Sequence, residues 1–458
     1  MTDIIAELKQ LVGEENVLDT DAARQRTLMW DTNQPCLAKA LVRPCNTGEV
    51  SAILKLCHER RQSVVPYGGL TGLVQGSVTN PDDIAVSFGR MNNIEETDAT
   101  AKTMTAQAGV TMQRAQEAAD KAGLFFPVDI GARGACEVGG FVSTNAGGTK
   151  VIRYGMTRDC VLGLEAVLAD GTIISSMNRY IKNNSGFDLK QLFIGSEGVL
   201  GVITRVVFRL SIKSTSHNVA LVACRDYPTV IRLLDSAHAM LGSSLSGFEV
   251  MWDGFYRKAT KPLGRQMSPF DEPHSVYVIL ETMGIDARSD EENFTDALEK
   301  MFEESLVEDA VIAKSAKERD DIWAIRGEVE WLVKNAQNFD VSLRSSDVGL
   351  YIDDVSNCIK KDCPGAFIAF FGHLGDNNLH MSVLADGENA DVELVVERHV
   401  YECLGPYQGA ISAEHGIGLE KKSYLSISRS PQEIALMKTL KTTLDPNNIL
   451  NPGKVLDV

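Results

Sequence analysis

The chain predicts an α+β fold divided into two main domains, and three observations carry that reading. From residue 35 to 213, short β-rich runs alternate with helical segments, and extended runs end in glycine-rich loops. After residue 214 the alternation lengthens into the pattern of an antiparallel sheet with covering helices. At 458 residues the chain also exceeds what one hydrophobic core usually serves.

Residues 1–8 read as an amphipathic helix and open a helical lead-in over 1–34. That start has neither the basic stretch nor the apolar stretch of a secretory signal. Residues 40–44 are strand-like, and 47–60 are helical with Val50, Ile53, Leu54 and Cys57 on one face. A strand over 63–66 runs directly into Tyr67-Gly68-Gly69-Leu70-Thr71-Gly72. Strands over 84–88 and 103–108 and a helix over 111–122 follow. A second glycine-rich block spans 128–148 and a third spans 195–201. Three such loops in one domain suit backbone amides that approach a phosphate-bearing cofactor. None has the G-x-G-x-x-G spacing, no Walker A motif occurs, and Gly195-Ser196-Glu197-Gly198 is not a G-x-S-x-G elbow.

In the second domain, 218–224 and 275–281 read as strands, with 228–240 and 291–304 as helices. An apolar run over 366–371, a turn over 375–378 and a strand over 379–384 predict a β-hairpin. A hairpin lets His373 and His380 converge. Together with the Glu414 carboxylate they would form a three-ligand set with an open position, the pattern of catalytic zinc. His415 would then stand beside it as a candidate base. The bland alternative is a set of ordinary polar hairpin and loop residues. The last helix is framed by Ser430, Pro431 and Glu433, a capping box. Its apolar face is Ile434, Met437, Leu440 and Leu444, and Asp445-Pro446 ends it. Ile449, Leu450 and Val455 predict that the tail is docked.

The net charge of −17 argues against nucleic-acid and anionic-membrane partners. No apolar run is long enough for a membrane span. Nine dispersed cysteines without a CxxC pair point to reduced thiols and a cytoplasmic location.

The order of blocks adds a family resemblance. Pro66-Tyr67-Gly68-Gly69, Asn145-Ala146-Gly147-Gly148, Gly195 through Gly201, His373 through His380, Glu414-His415-Gly416 and Asn451-Pro452-Gly453-Lys454 follow one another. Together they resemble the FAD-linked D-2-hydroxy-acid dehydrogenases, which are flavoproteins of the vanillyl-alcohol oxidase type. The resemblance runs from about residue 35 to the end. It implies an FAD-binding domain of two α+β subdomains over 35–213 and an α+β cap domain with the metal site over 214–425. A C-terminal helix and tail over 426–458 would pack back on the FAD domain, and the flavin ring would lie between the domains.

By that resemblance, Pro66, Tyr67, Gly68, Gly69, Leu70 and Thr71, with Gly72, Gly76 and Ser77, cradle the pyrophosphate. Pro127, Asp129, Gly139, Gly140, Thr144 and Asn145, with Gly147 and Gly148, line pyrophosphate and flavin. Tyr154, Gly155, Glu197, Gly198 and Gly201 complete the site. Ile203 holds the adenine side, and Asn451 and Lys454 close the pocket near the ring. The first glycine loop holds no histidine or cysteine, so the FAD is expected to be non-covalent.

His373, His380 and Glu414 match the family's divalent-metal ligands, with zinc expected, and His415 matches its base. Arg326 matches an arginine that holds the substrate carboxylate. The implied reaction is metal-assisted oxidation of a D-2-hydroxy acid of the hydroxyglutarate or lactate type, by hydride transfer to flavin N5. Two positions depart from the family's hydroxyglutarate enzymes: Glu330 stands where a small hydroxyl residue serves the far carboxylate, and Asn338 where a lysine does. Arg344, two residues past Ser342, could compensate from the same strand face; the alternative, which weighs more, is a solvated strand charge. The implied partners are a small 2-hydroxy acid and an electron acceptor, either an electron-transferring flavoprotein or a quinone. A homodimer is a further expectation. The alternatives are an oxidase of the same fold that reduces oxygen, and a zinc hydrolase without flavin.

Overall fold

The computed structural model describes residues 3–29, 34–261, 269–270, 272–385 and 390–458. The chain forms two compact units. One comprises 1–147, 154–213 and 414–458; the other comprises 148–153 and 214–413.

The first unit begins with helix Ile4–Val12, which Asp3 caps by accepting from the Ile5 N–H. Met1 and Thr2 of the expected opening helix lie outside the described residues. Residues 1–34 are not a separate lead-in. Val17–Asp19 is the edge strand of a four-stranded sheet, beside Ala40–Val42, Ile84–Ser87 and Val64–Tyr67 in that order. Leu8, Val12 and Val17 enter the same core as Val42, Ile53 and Leu54. Helix Thr47–Arg60 reaches that core through Val50, Ile53, Leu54 and Cys57, the face its spacing predicts. A second, five-stranded antiparallel sheet has the order Ile94–Asp98, Thr103–Gln107, Val202–Arg209, Val161–Val167, Ile173–Ser176.

The C-terminal segment returns to this unit at Glu414, twelve residues before the expected return at 426. Helix Pro431–Leu444 has the predicted capping box between Ser430 and Glu433. Its expected apolar face is only half-buried; its one buried side chain is Lys441. The Lys441 ammonium donates to Val199 O at 3.0 Å, to Leu450 O at 2.8 Å and to Asp445 Oδ2 at 2.5 Å. Asp445 in turn accepts from the Ile449 and Leu450 N–H groups. Such a buried charge is tolerated because donors and acceptors close on each other. The tail is docked as expected: Val64 N–H donates to Ile449 O at 2.7 Å, and Asn451 N–H to Val64 O at 2.8 Å.

The second unit is one seven-stranded antiparallel sheet. Its order is Asp309–Ile312, Ser216–Cys224, Val276–Gly284, Leu245–Trp252, Phe367–Gly372, Asn378–Leu384, Gln337–Ser342. One sheet face packs Met251, Tyr277, Ile279 and Phe371 against Phe255 and Tyr256 of helix Asp253–Thr260 and Ile322 and Ile325 of helix Ala316–Gly327. Phe255 stacks on Phe371 with centroids 4.3 Å apart; burying a ring of that size stabilises by about 2–3 kcal/mol. Residues 148–153 break the expected continuity of the first domain. Arg153 donates to Met283 O, and Lys150 forms an ion pair with Glu281.

Candidate active site

The hairpin forms where the sequence places it, as Phe367–Gly372 and Asn378–Leu384. The chain turns through Leu374–Asp376, and Asn377 takes a left-handed φ of +70° to close the turn. Direct cross-strand partners share a sheet face. The register pairs Met251 with Phe371, Phe371 with His380, and His380 with Asp340. Glu249 lies two residues before Met251 on the same strand and projects from this same face; His373, just past the end of its strand, meets it through Nδ1. The imidazoles of His373 and His380 have centroids 5.1 Å apart and are buried.

Glu414 is bonded to Ala413, whose N–H donates to Asp340 Oδ2 at 2.9 Å. One ligand atom from each of His373, His380 and Glu414 lies within 4.8 Å of the others. An ion bound at about 2.1 Å in tetrahedral geometry spaces its ligands roughly 3.4 Å apart. The set therefore fits a divalent metal after side-chain adjustments of about an ångström or less.

Glu249 is the functional residue that sequence reasoning missed. It sits in strand Leu245–Trp252 with its side chain almost fully buried. One carboxylate oxygen meets His373 Nδ1 at 2.6 Å, and the other accepts from Arg326 Nε at 2.8 Å. Burial alone would raise its pKa; the facing His373 and Arg326 hold it below the ordinary carboxylate value. Arg326, in the last turn of helix Ala316–Gly327, also lies over the Phe371 ring at 4.7 Å. The available signal was a lone acid inside the apolar run Leu245-Ser246-Gly247-Phe248-Glu249-Val250-Met251-Trp252.

In the first unit, His415 Nε2 lies 3.7 Å from Glu414 Oε1. The loop that follows is held by Glu197, which accepts from Ile417 N–H at 2.7 Å and Gly418 N–H at 2.9 Å. Burial raises the Glu197 pKa against those two donors. The expected cofactor residue Glu197 thus anchors the loop carrying His415. Asn451 donates to Gly76 O and Glu197 O, and Lys454 to Val78 O. Both brace the first glycine loop from the C-terminal tail.

The three glycine blocks converge. A Cβ at Gly69 would stand 1.9 Å from Ala135 O, and one at Gly198 2.7 Å from Pro66 Cγ. Gly198 also has a φ of +77°. These glycines serve chain-on-chain approach. Gly72 and Gly140 differ, because a Cβ there would meet nothing within 4 Å. A cavity opens in the same unit between Arg26, Leu37, Tyr67, Leu70, Ser77 and Thr79. Buried carboxyl oxygen Glu137 Oε2 and amide oxygen Asn451 Oδ1 have no hydrogen-bond partner among the described residues. Burial pushes the Glu137 carboxyl up to about 7, opposed by Arg26. Leu70, Asn145, Glu197 and Asn451 all hold left-handed backbone, which marks strained functional loops. Open glycines and left-handed loops fit the backbone approach of a phosphate-bearing cofactor.

The FAD-linked oxidase C-terminal domain family matches residues 206–455, and the FAD-binding domain family matches residues 38–176. The chain is 38% identical to the mitochondrial D-2-hydroxyglutarate dehydrogenase of Arabidopsis thaliana over 99% of this chain and 81% of that one. The chain belongs to the FAD-linked D-2-hydroxy-acid dehydrogenase family. A D-2-hydroxyglutarate–pyruvate transhydrogenase of Saccharomyces cerevisiae is 34% identical over 99% of this chain and 94% of that one. A putative mitochondrial D-lactate dehydrogenase of Schizosaccharomyces pombe is 37% identical over 90% of this chain and 81% of that one. The fold is that of vanillyl-alcohol oxidase type flavoproteins: p-cresol methylhydroxylase superposes with a TM-score of 0.79 at 17% identity, covering 99% of this chain and 96% of that one. These names place two of the relatives in mitochondria and lend no support to the cytoplasmic expectation. No described helix is long and apolar enough to cross a membrane.

Several family-derived expectations take a different place. Arg344 lies past the end of strand Gln337–Ser342; its side chain is 74% exposed and bound to Asp347 at 2.7 Å. It does not continue the strand face and joins no buried cluster. Asn338 does share the face of His380, but its amide is engaged by Leu332 O, Ala336 O and the Ser382 hydroxyl at 2.7 Å. The Glu330 side chain lies outside the described residues. Ile203 is packed into the core from the central strand of its sheet. Asp129 pairs with Arg133, Tyr154 packs on Phe125, and Gly148 belongs to the second unit.

Proposed function

We propose that this chain oxidises a D-2-hydroxy acid to the 2-oxo acid, using non-covalent FAD and a divalent metal, with zinc the best match to the ligand set. The observation that carries the reading is the buried face holding His373, His380, Glu249 and Arg326. A 2-hydroxy acid presents a carboxylate beside an α-hydroxyl. This face offers a guanidinium for the first and metal-binding imidazoles for the second. Gly72, Gly140 and the loops around them would hold the FAD. His373, His380 and Glu414 would hold the metal. When bound, the FAD supplies the hydride acceptor and the metal the Lewis acidity that eases loss of the hydroxyl proton.

The remaining work falls to side chains. Arg326 commits Nε to Glu249 and turns its terminal nitrogens to the substrate carboxylate. His415 takes the hydroxyl proton on a ring nitrogen, and adjacent Glu414 steadies the imidazolium formed. Glu197 fixes the backbone after His415, and Asp340 fixes the backbone before Glu414. Both limit the motion of the base. The relatives' names make D-2-hydroxyglutarate the first substrate to try and D-lactate the second. An electron-transferring flavoprotein or a quinone would then take the electrons.

The test is an anaerobic titration of metal-replete protein with D- and L-2-hydroxy acids, read by flavin absorbance. Bleaching by a D-acid and not its L-isomer is expected. A yellow protein that none of them bleaches would overturn the substrate class. Peroxide formed in air at the rate of turnover would replace the carrier with oxygen.

A further inference from the structure

We propose that Glu249 is a positioning residue that sets metal affinity and substrate orientation through one carboxylate. This inference rests on the metal and substrate roles proposed above and deepens them by giving Glu249 a role of its own. The geometry is specific. The two oxygens of one buried carboxylate serve two different partners: His373 Nδ1 at 2.6 Å and Arg326 Nε at 2.8 Å. Only a charged acceptor with two equivalent oxygens satisfies both at once. A hydrogen on His373 Nδ1 leaves Nε2 with its lone pair, and that is the nitrogen able to bind an ion. The same carboxylate fixes the guanidinium plane, which also rests on Phe371 at 4.7 Å.

Strand register makes the link rigid. Glu249 and Phe371 stand on neighbouring strands whose pairing runs through Val250–Gly372 and Met251–Phe371. Gly372 allows the tight approach of the hairpin strand that carries His380: a Cβ there would stand 2.4 Å from Asn378 O. Glu249 therefore has little room to move without moving His373 or Arg326. The metal that polarises the hydroxyl and the arginine that holds the carboxylate would be aligned by one residue.

Glu249→Gln separates the two duties. Its amide has one acceptor and two donors, so it cannot accept from both Nδ1–H and Nε–H. If the amide oxygen faces Arg326, the NH2 group forces the His373 proton onto Nε2. Metal-stripped wild-type and E249Q proteins, each retaining FAD, are titrated with Co2+ and followed by its visible absorption. The expected result is a 10–100-fold weaker Co2+ dissociation constant and a raised KM, with the flavin spectrum unchanged. Glu249→Asp keeps the charge but reaches only one partner, so it should recover part of the metal affinity. Equal Co2+ affinity in E249Q and wild type overturns the inference. Failure of wild type to bind Co2+ in a way His373→Ala abolishes would instead overturn the metal reading itself. Should E249Q not fold, nitrogen-15 NMR of histidine-labelled, metal-free wild type decides. A neutral His373 protonated on Nδ1 supports the proposal, and one protonated on Nε2 overturns it.

Discussion

The two units of this chain build sites from opposite materials. In the first, the proposed cofactor cradle is mostly backbone: open glycines at 72 and 140, left-handed loops at Leu70 and Asn145, and tight chain crossings at Gly69 and Gly198. In the second, the proposed site is buried charge between a sheet face and helix Ala316–Gly327, with Glu249, Arg326, His373 and His380 beside an apolar layer. A backbone site is sensitive to a single added Cβ and indifferent to most charges. A buried-charge site is sensitive to the loss of any partner, because the charge left behind has no water to turn to. The contrast suits the tasks. A cofactor's pyrophosphate is met by many weak amide dipoles, whereas substrate and metal need a few directed groups.

The sharpest break of this contrast is at His415. His415→Ala should slow flavin reduction by about 10²–10⁴-fold, the usual worth of a general base, while FAD content stays at wild-type level. Stopped-flow reduction measures it, and an unchanged rate removes His415 from the chemistry.

A smaller effect distinguishes two kinds of glycine in the first unit. Gly69→Ala drives a Cβ into the Ala135 carbonyl and should cost about 2–3 kcal/mol in stability, read by urea unfolding. Gly140→Ala should hold stability or raise it by about 0.5–1 kcal/mol, since Gly140 lies in helix Val138–Ser143 and its Cβ meets no atom. It should still weaken FAD at least about tenfold if the open space is the cradle. Equal behaviour of the two variants would dissolve the distinction.

The smallest effect concerns Glu137, the buried acid among the glycine loops. Its folded-state pKa of about 7 lies above the ordinary 4.5, so the FAD-free fold holds this proton more tightly than the unfolded chain does. That contribution is full below pH 4.5 and is lost as pH rises through 7. Glu137→Gln keeps a neutral side chain throughout. It should therefore gain roughly 1–3 kcal/mol over wild type between pH 4.5 and 8. Thermal unfolding at the two pH values checks it, and parallel curves would show that Glu137 is not desolvated.

Much of this was legible in the residues. Helix Thr47–Arg60, the hairpin around His373 and His380 and the capping box at Ser430 follow from local rules of period, turn chemistry and capping. The glycine blocks were visible as composition, though composition alone could not separate Gly69, which meets another chain segment, from Gly140, which meets space. For Arg344 the solvated reading is the one the structure matches, whereas the two-residue alternation does not extend past Ser342, where the strand ends and the side chain turns to Asp347. The apolar face of the last helix was read by period, yet Lys441 is its buried residue, because Val199 O, Leu450 O and Asp445 surround its ammonium.

By itself, the sequence determined most element types, through local period, turn and capping rules, and the family, through the order of motif blocks along the chain. Only the tertiary structure decided that Glu249 joins His373 to Arg326, that Glu197 holds the loop after His415, and that residues 148–153 leave the first unit for the second. Those contacts join positions 77, 124 and 220 residues apart and more than 100 residues from the segment's flanking chain. Strand register and burial select such partners, and no local period encodes them.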